Sequence, residues 1–156
     1  MTAVNHQPAV GQETEFLDAF DALAQAIRRA RGAPAGSERA LTLSQFSLLQ
    51  TLAGGRAARV RDLADEAGIA PSTATRILDA LDRRTIVRRT RSQDDRRGVT
   101  VTLTELGREA VRAQEDWMRE RQRAFFEGLP AVERELAPDL LIRLAALIDE
   151  LAPGPS

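Results

Sequence analysis

The chain has 156 residues, of which 43% are hydrophobic and 4% aromatic, and a formal net charge of −1, enough for one domain or two small elements sharing a core. It contains no cysteine, which excludes a disulfide framework, a thiolate metal site and a cysteine redox switch, and its single histidine, His6, sits in a Pro- and Gln-containing start that offers no His-based metal site. No signal peptide and no apolar run of transmembrane length is present, so the expectation is a soluble, cytoplasmic protein with no membrane partner, no metal and no cofactor.

Residues 1–11 read as a flexible tail. From about Glu13, Phe16, Phe20, Leu23 and Ile27 recur at helical spacing, with Leu17 and Ala24 widening the stripe. Arg28, Arg29 and Arg31 crowd the last turn, where they complement the helix dipole, and Gly32 can end the helix. After the breaker GAPAGSER comes a shorter helix, with Ser44 expected as its N-cap, Phe46, Leu48, Leu49 and Leu52 as its apolar members, and Gly54-Gly55 as its stop.

The run VRDLADEAGIAPSTATRILDALDRRTIVRR, residues 60–89, is the most informative. Leu63, Ala64 and Ala67 predict a short helix ending at Gly68. Pro71, with its fixed φ, suits the first position of a second helix that buries Ala74, Ile77, Leu78 and Leu81. Ser72, Thr73, Thr75 and Arg76 remain near that helix's exposed N-terminal end, and the pair describes a helix-turn-helix. After Thr85 the period becomes alternating: 86–91 and 99–103 predict two strands joined by SQDDRRG, a β-hairpin that makes the unit a winged helix. Thr104 then caps a long helix with apolar rows Leu106, Ala110, Ala113, Trp117, Ala124 and Val111, Met118, Phe125. A last apolar segment, 129–151, is interrupted by Pro138, which predicts a kink or a fresh helix there.

Charge follows this organisation. Residues 56–97 hold eleven Arg against seven acids, while the remainder holds eleven against sixteen, so the positive charge is local, as it is in proteins that meet phosphate. The N-terminal side chains of a helix in the major groove reach base edges, and the planar fork of Arg76 matches the O6 and N7 acceptors of guanine. Ser72, Thr73 and Thr75 can serve bases or phosphates. At the hairpin tip, Asp95 has the spacing to hold Arg97 for entry into a minor groove, beside Arg96. Arg88, Arg89 and Arg91 are expected near phosphates, adding salt-dependent affinity without sequence information.

From Leu41 to Gly107, on LTLSQFSLLQTL, the 60–89 run and DDRRGVTVTLTELG, the chain resembles the MarR family of bacterial winged-helix regulators. The Asp-x-Arg wing followed by L-T-x-x-G is the most specific element of the resemblance. It implies a mainly α fold with a small β-hairpin wing, in which N- and C-terminal helices form a dimerisation region. The corresponding domains are a tail 1–11, a first helix and loop 12–40, a DNA-binding lobe 41–104, and C-terminal dimerisation helices 105–152. It further implies a homodimer on a pseudo-palindromic double-stranded operator, most often a repressor, and a pocket between lobe and dimerisation region for a small aromatic acid. Phe16, Phe20, Phe46 and Trp117 are the candidate lining of that pocket, although aromatics at helical spacing also read as plain core. Without cysteine, thiol-oxidation sensing is excluded. The competing readings are an activator or constitutive DNA-binding member without effector and, from another class, a winged-helix protein-interaction module. Nothing in the folded part offers nucleophilic, metal or phosphate-loop chemistry, so an enzyme is not expected.

Overall fold

The structure, a computed structural model, describes residues 10–32, 40–91 and 99–151. Among the described residues, six helices and three strands follow in the order α1 (Val10–Gly32), α2 (Leu43–Gln50), β1 (Ala58–Arg59), α3 (Val60–Glu66), α4 (Pro71–Arg83), β2 (Val87–Arg91), β3 (Val99–Leu103), α5 (Glu105–Gly128) and α6 (Ala131–Leu151). The chain divides into two compact units, Met1–Gln114 and Glu115–Ser156.

The core of the first unit is aliphatic. Leu48, Leu49, Leu52, Leu63, Leu78, Leu81, Val87 and Val101 are fully buried, drawing on α2, α3, α4 and both long strands. Among the described residues no polar or charged residue is buried with them. The sheet is antiparallel in the order β1-β3-β2, with Val87 opposite Leu103, Arg89 opposite Val101 and Arg91 opposite Val99. Val101 and Leu103 are buried as the alternation of β3 requires, while Val99, on the same face but at the strand's outer end, is 43% exposed.

Several local expectations need correction. Helix α1 begins at Val10, before Glu13. Helix α2 is capped by Thr42 instead of Ser44: Thr42 Oγ1 accepts from the Gln45 N–H at 3.2 Å, and Gln45 Oε1 accepts from the Thr42 N–H at 3.1 Å. This reciprocal capping box satisfies two otherwise orphaned donors. Ser44 lies inside the helix, where its hydroxyl donates to the Arg31 carbonyl at 3.2 Å. Helix α2 stops at Gln50, ahead of the Gly54-Gly55 pair. Strand β1 has no counterpart in the sequence reading, because two residues are too few to show alternation. Pro138 neither ends nor restarts a helix, since α6 runs through it. The acceptor it leaves without a donor is the Arg134 carbonyl. Both residues are exposed, so water can take that hydrogen bond.

Exposed apolar surface concentrates on the long helices. Phe16, Leu17, Leu23 and Ile27 are exposed on α1, as are Trp117, Phe125 and Phe126 on α5. Helix α6 buries no residue, although it carries Leu136, Leu140, Leu141, Ile142, Leu147, Ile148 and Leu151. Among the described residues, no helix is long and apolar enough to cross a membrane.

A candidate nucleic-acid interface

Two backbone motifs set α4 in place. Helix α3 ends with Ile69 N–H donating to the Ala64 carbonyl and Gly68 N–H to that of Asp65, a Schellman motif whose left-handed position is Gly68 at φ 62°. That turn delivers the chain to Ala70 and then Pro71, the first helical residue of α4. At the other end, Ile86 N–H donates to the Leu81 carbonyl and Thr85 N–H to that of Asp82. This is the same motif, but its left-handed position is Thr85, at φ 56°. The buried Ile86 and Leu81 place apolar side chains at the two positions that usually touch in this motif.

The N-terminus of α4 is presented to solvent. Ala70 supplies no side-chain cap, and Ser72, Thr73, Thr75 and Arg76 are all exposed, while Ala74, Leu78 and Leu81 are buried behind them. Ile77 is half-buried. The N–H groups of the first turn and the positive end of the helix dipole therefore face outward together. Thr75 is more constrained than its residue type suggests. Its hydroxyl donates to the Pro71 carbonyl at 2.9 Å, which leaves its methyl group and lone pairs for an incoming surface.

The hairpin separates the three arginines of β2. Strand alternation puts Arg89 and Arg91 on the face of Val99 and Val101, and Arg88 on the opposite face, opposite Thr102. Arg88 is exposed and lines a shallow groove with Thr102, Leu103, Thr104, Glu105 and Arg108. Arg91 is exposed at the end of β2. Arg89 is held inward, with Nη2 2.6 Å from Asp79 Oδ1 on α4. The contact lacks hydrogen-bond alignment, so Nε and Nη2 of Arg89 are enclosed without an aligned acceptor. The three do not share one face of the strand. Asp95, Arg96 and Arg97 lie outside the described residues.

The hairpin returns into α5 through Thr104. Its hydroxyl lies 2.6 Å from the Thr85 carbonyl, to which it donates, and accepts from the Gly107 N–H at 3.0 Å. The Thr104 N–H donates to the Ile86 carbonyl at 3.1 Å. The L-T-x-x-G sequence thus joins the C-terminal motif of α4 to the first turn of α5. Glu105, at that first turn, is hydrogen-bonded by Arg108, and the guanidinium's hydrogen bond and charge hold its carboxyl below the usual range.

The candidate aromatics have different surroundings. Phe46 is 4% exposed in the core of the first unit. Phe16 and Phe20 face each other on α1 with ring centroids 6.4 Å apart. Trp117 belongs to the second unit and is 53% exposed, with the Arg121 guanidinium 5.6 Å from its ring centroid. None of the four lines the groove beside Arg88.

Comparison with known proteins agrees with this geometry. The MarR family model matches residues 41–99. The HTH-type transcriptional regulator YfiV of Bacillus subtilis (strain 168) is 30% identical over 108 residues, which cover 62% of this chain and 68% of that protein. The chain belongs to the MarR family. It therefore has a winged-helix fold and is a DNA-binding transcriptional regulator. Among solved structures, the MarR family transcription regulator SP03579 matches with a TM-score of 0.75 at 21% identity, covering 95% of this chain and 100% of its own. BpsR of Bordetella bronchiseptica, whose DNA binding is regulated by 6-hydroxynicotinic acid, matches with a TM-score of 0.59 at 26% identity, covering 86% of this chain and 98% of its own.

Proposed function

We propose that this MarR family member is a homodimeric repressor that reads a pseudo-palindromic operator and is released by a small aromatic acid. The observation that carries the reading is the exposed, uncapped N-terminus of α4, where Ser72, Thr73 and Arg76 stand together. In this reading Arg76 contacts guanine edges in the major groove, and Ser72 and Thr73 hold a phosphate over the free N–H groups. Arg88, Arg91, Arg96 and Arg97 supply charge along the adjacent backbone, with Asp95 orienting Arg97.

Residues 41–104 form the DNA-binding lobe in this proposal, and residues 12–40 and 105–152 the dimerisation region. Support for a dimer comes from the exposed apolar residues of α1, α5 and α6, more than a monomer ordinarily leaves to water. Two-fold symmetry then spaces the recognition helices about 34–36 Å apart, one turn of duplex. The likeness to BpsR supports a small-molecule effector, whose action in this reading is a shift between binding-competent and incompetent arrangements of the two lobes. The site of action is the cytoplasm.

Selection from a random-duplex library tests this directly. An inverted repeat with half-sites one helical turn apart, bound by a dimer and weakened by one of a panel of small aromatic acids, is the expected result. Recovery of no preferred duplex contradicts the reading and favours an interaction module for another protein. A preferred duplex unaffected by every acid in the panel removes the effector and leaves constitutive binding.

A further inference from the structure

We propose that Asp79 and Arg89 are a positioning pair that fixes the recognition helix against the wing strand in the geometry a duplex requires. The inference rests on the DNA-binding reading above and reassigns Arg89 from phosphate contact to internal brace. Arg89 lies on the inward face of β2, opposite the fully buried Val101. Its side chain is 29% exposed, and Nε and Nη2 are shut away from solvent without an aligned hydrogen-bond acceptor. A guanidinium in that state depends on a nearby negative charge, and Asp79 Oδ1 at 2.6 Å provides it.

Asp79 stands one helical turn after Arg76, on the element that presents Arg76 to solvent. Arg89 stands two residues before Arg91, at the end of the strand that leads to the hairpin tip. The ion pair therefore ties the middle of the reading helix to the arm that contacts the backbone. Neither partner needs to touch DNA to set the distance between the two contacting elements.

The sign of one substitution separates this role from direct phosphate contact. Asp79→Asn raises the net charge by one, so if Arg89 contacted phosphate, releasing it would tighten binding to every duplex. A positioning pair predicts the opposite: loss of about tenfold in affinity for the preferred duplex, as for other coupled ion-pair networks.

The experiment measures anisotropy binding of a preferred and a scrambled duplex over a salt series for the wild type, Asp79→Asn, Asp79→Glu, Arg89→Met, the Asp79→Asn/Arg89→Met double variant and Arg91→Ala, with a thermal melt of each. The expected result has several parts. Asp79→Asn and Arg89→Met each lose discrimination, the double variant is no worse than either, and their salt slopes match the wild type. Asp79→Glu, which keeps the charge, recovers most of the affinity. Arg91→Ala lowers the salt slope by about one without altering discrimination.

Equal or tighter binding by Asp79→Asn overturns the proposal, as does a salt slope reduced by about one in Arg89→Met. If Asp79→Asn melts below the assay temperature, the Arg89→Met slope decides. A wild type that discriminates no duplex overturns the proposed function and this inference together. Failure of the variants alone overturns only the inference.

Discussion

A β-carbon on Gly107 would stand 2.0 Å from the carbonyl oxygen of Ile86, closer than any real contact, so only glycine lets the first turn of α5 lie against the end of α4. The oxygen cannot retreat, because it accepts the Thr104 N–H at 3.1 Å. Thr104 and Gly107 together are the physical content of the L-T-x-x-G pattern: the threonine bonds the carbonyls of the preceding turn, and the glycine allows the approach.

Gly107→Ala is therefore expected to destabilise the protein by about 3 kcal/mol, at the upper end for overpacking because the obstructing atom is backbone. Urea unfolding monitored by circular dichroism checks this. A loss below about 0.5 kcal/mol, no more than ordinary surface substitutions give, contradicts a joint that only glycine permits.

Thr85 occupies the left-handed position of the Schellman motif that ends α4, at φ 56°, where a β-branched residue is strained. Replacing it with glycine removes the side-chain clash but enlarges the freedom of the unfolded chain. The first effect exceeds the second, so Thr85→Gly is expected to stabilise by about 0.5–1 kcal/mol. Thr85→Ala, which keeps the β-carbon, brings no such gain. The midpoint of urea unfolding distinguishes them, and a lower midpoint for Thr85→Gly counts against strain at this position.

Glu105 contributes a pH dependence of known sign. The Arg108 hydrogen bond, followed by its charge, lowers the folded-state pKa of Glu105, so the unfolded state binds the proton more readily. Its stabilisation is present above the ordinary carboxylate pKa and is lost as pH falls through the lower folded value. Melting curves should show the wild type more stable than Glu105→Gln near neutrality, with the gap closing in acid. A gap that widens in acid contradicts the assignment.

Arg76→Ala is expected to relax base preference at one position of each half-site by about 1–3 kcal/mol, whereas Arg91→Ala weakens all duplexes alike. Competition binding against single-base variants of the duplex reads the difference. The reverse pattern would mean that the wing, and not α4, reads sequence.

The winged helix was legible because its signals are local and redundant. Gly68 and Pro71 punctuate the turn, Ala74, Leu78 and Leu81 keep the helical period, and Val101 and Leu103 keep the strand period. Residue type alone points to the wrong α2 cap, because serine ranks above threonine at that position. Only the reciprocal Gln45 contact selects Thr42, and the threonine–glutamine spacing of a capping box is the signal that could have found it. No fresh helix starts at Pro138, because an exposed helix can solvate the acceptor that proline abandons. The different surroundings of Arg88, Arg89 and Arg91 are not readable from charge. They follow from strand register and from Asp79 across the interface with α4, both of which are long-range facts.

We propose that the exposed start of α4 reads DNA sequence. The most direct test is fluorescence-anisotropy binding of the wild type and Arg76→Ala to the DNA upstream of the protein's own gene and to a scrambled duplex, at two salt concentrations. The wild type is expected to prefer the upstream duplex, both affinities to fall with salt, and Arg76→Ala to keep the salt dependence but lose the preference. Equal wild-type affinity for both duplexes, or an unchanged preference in Arg76→Ala, would contradict the proposal.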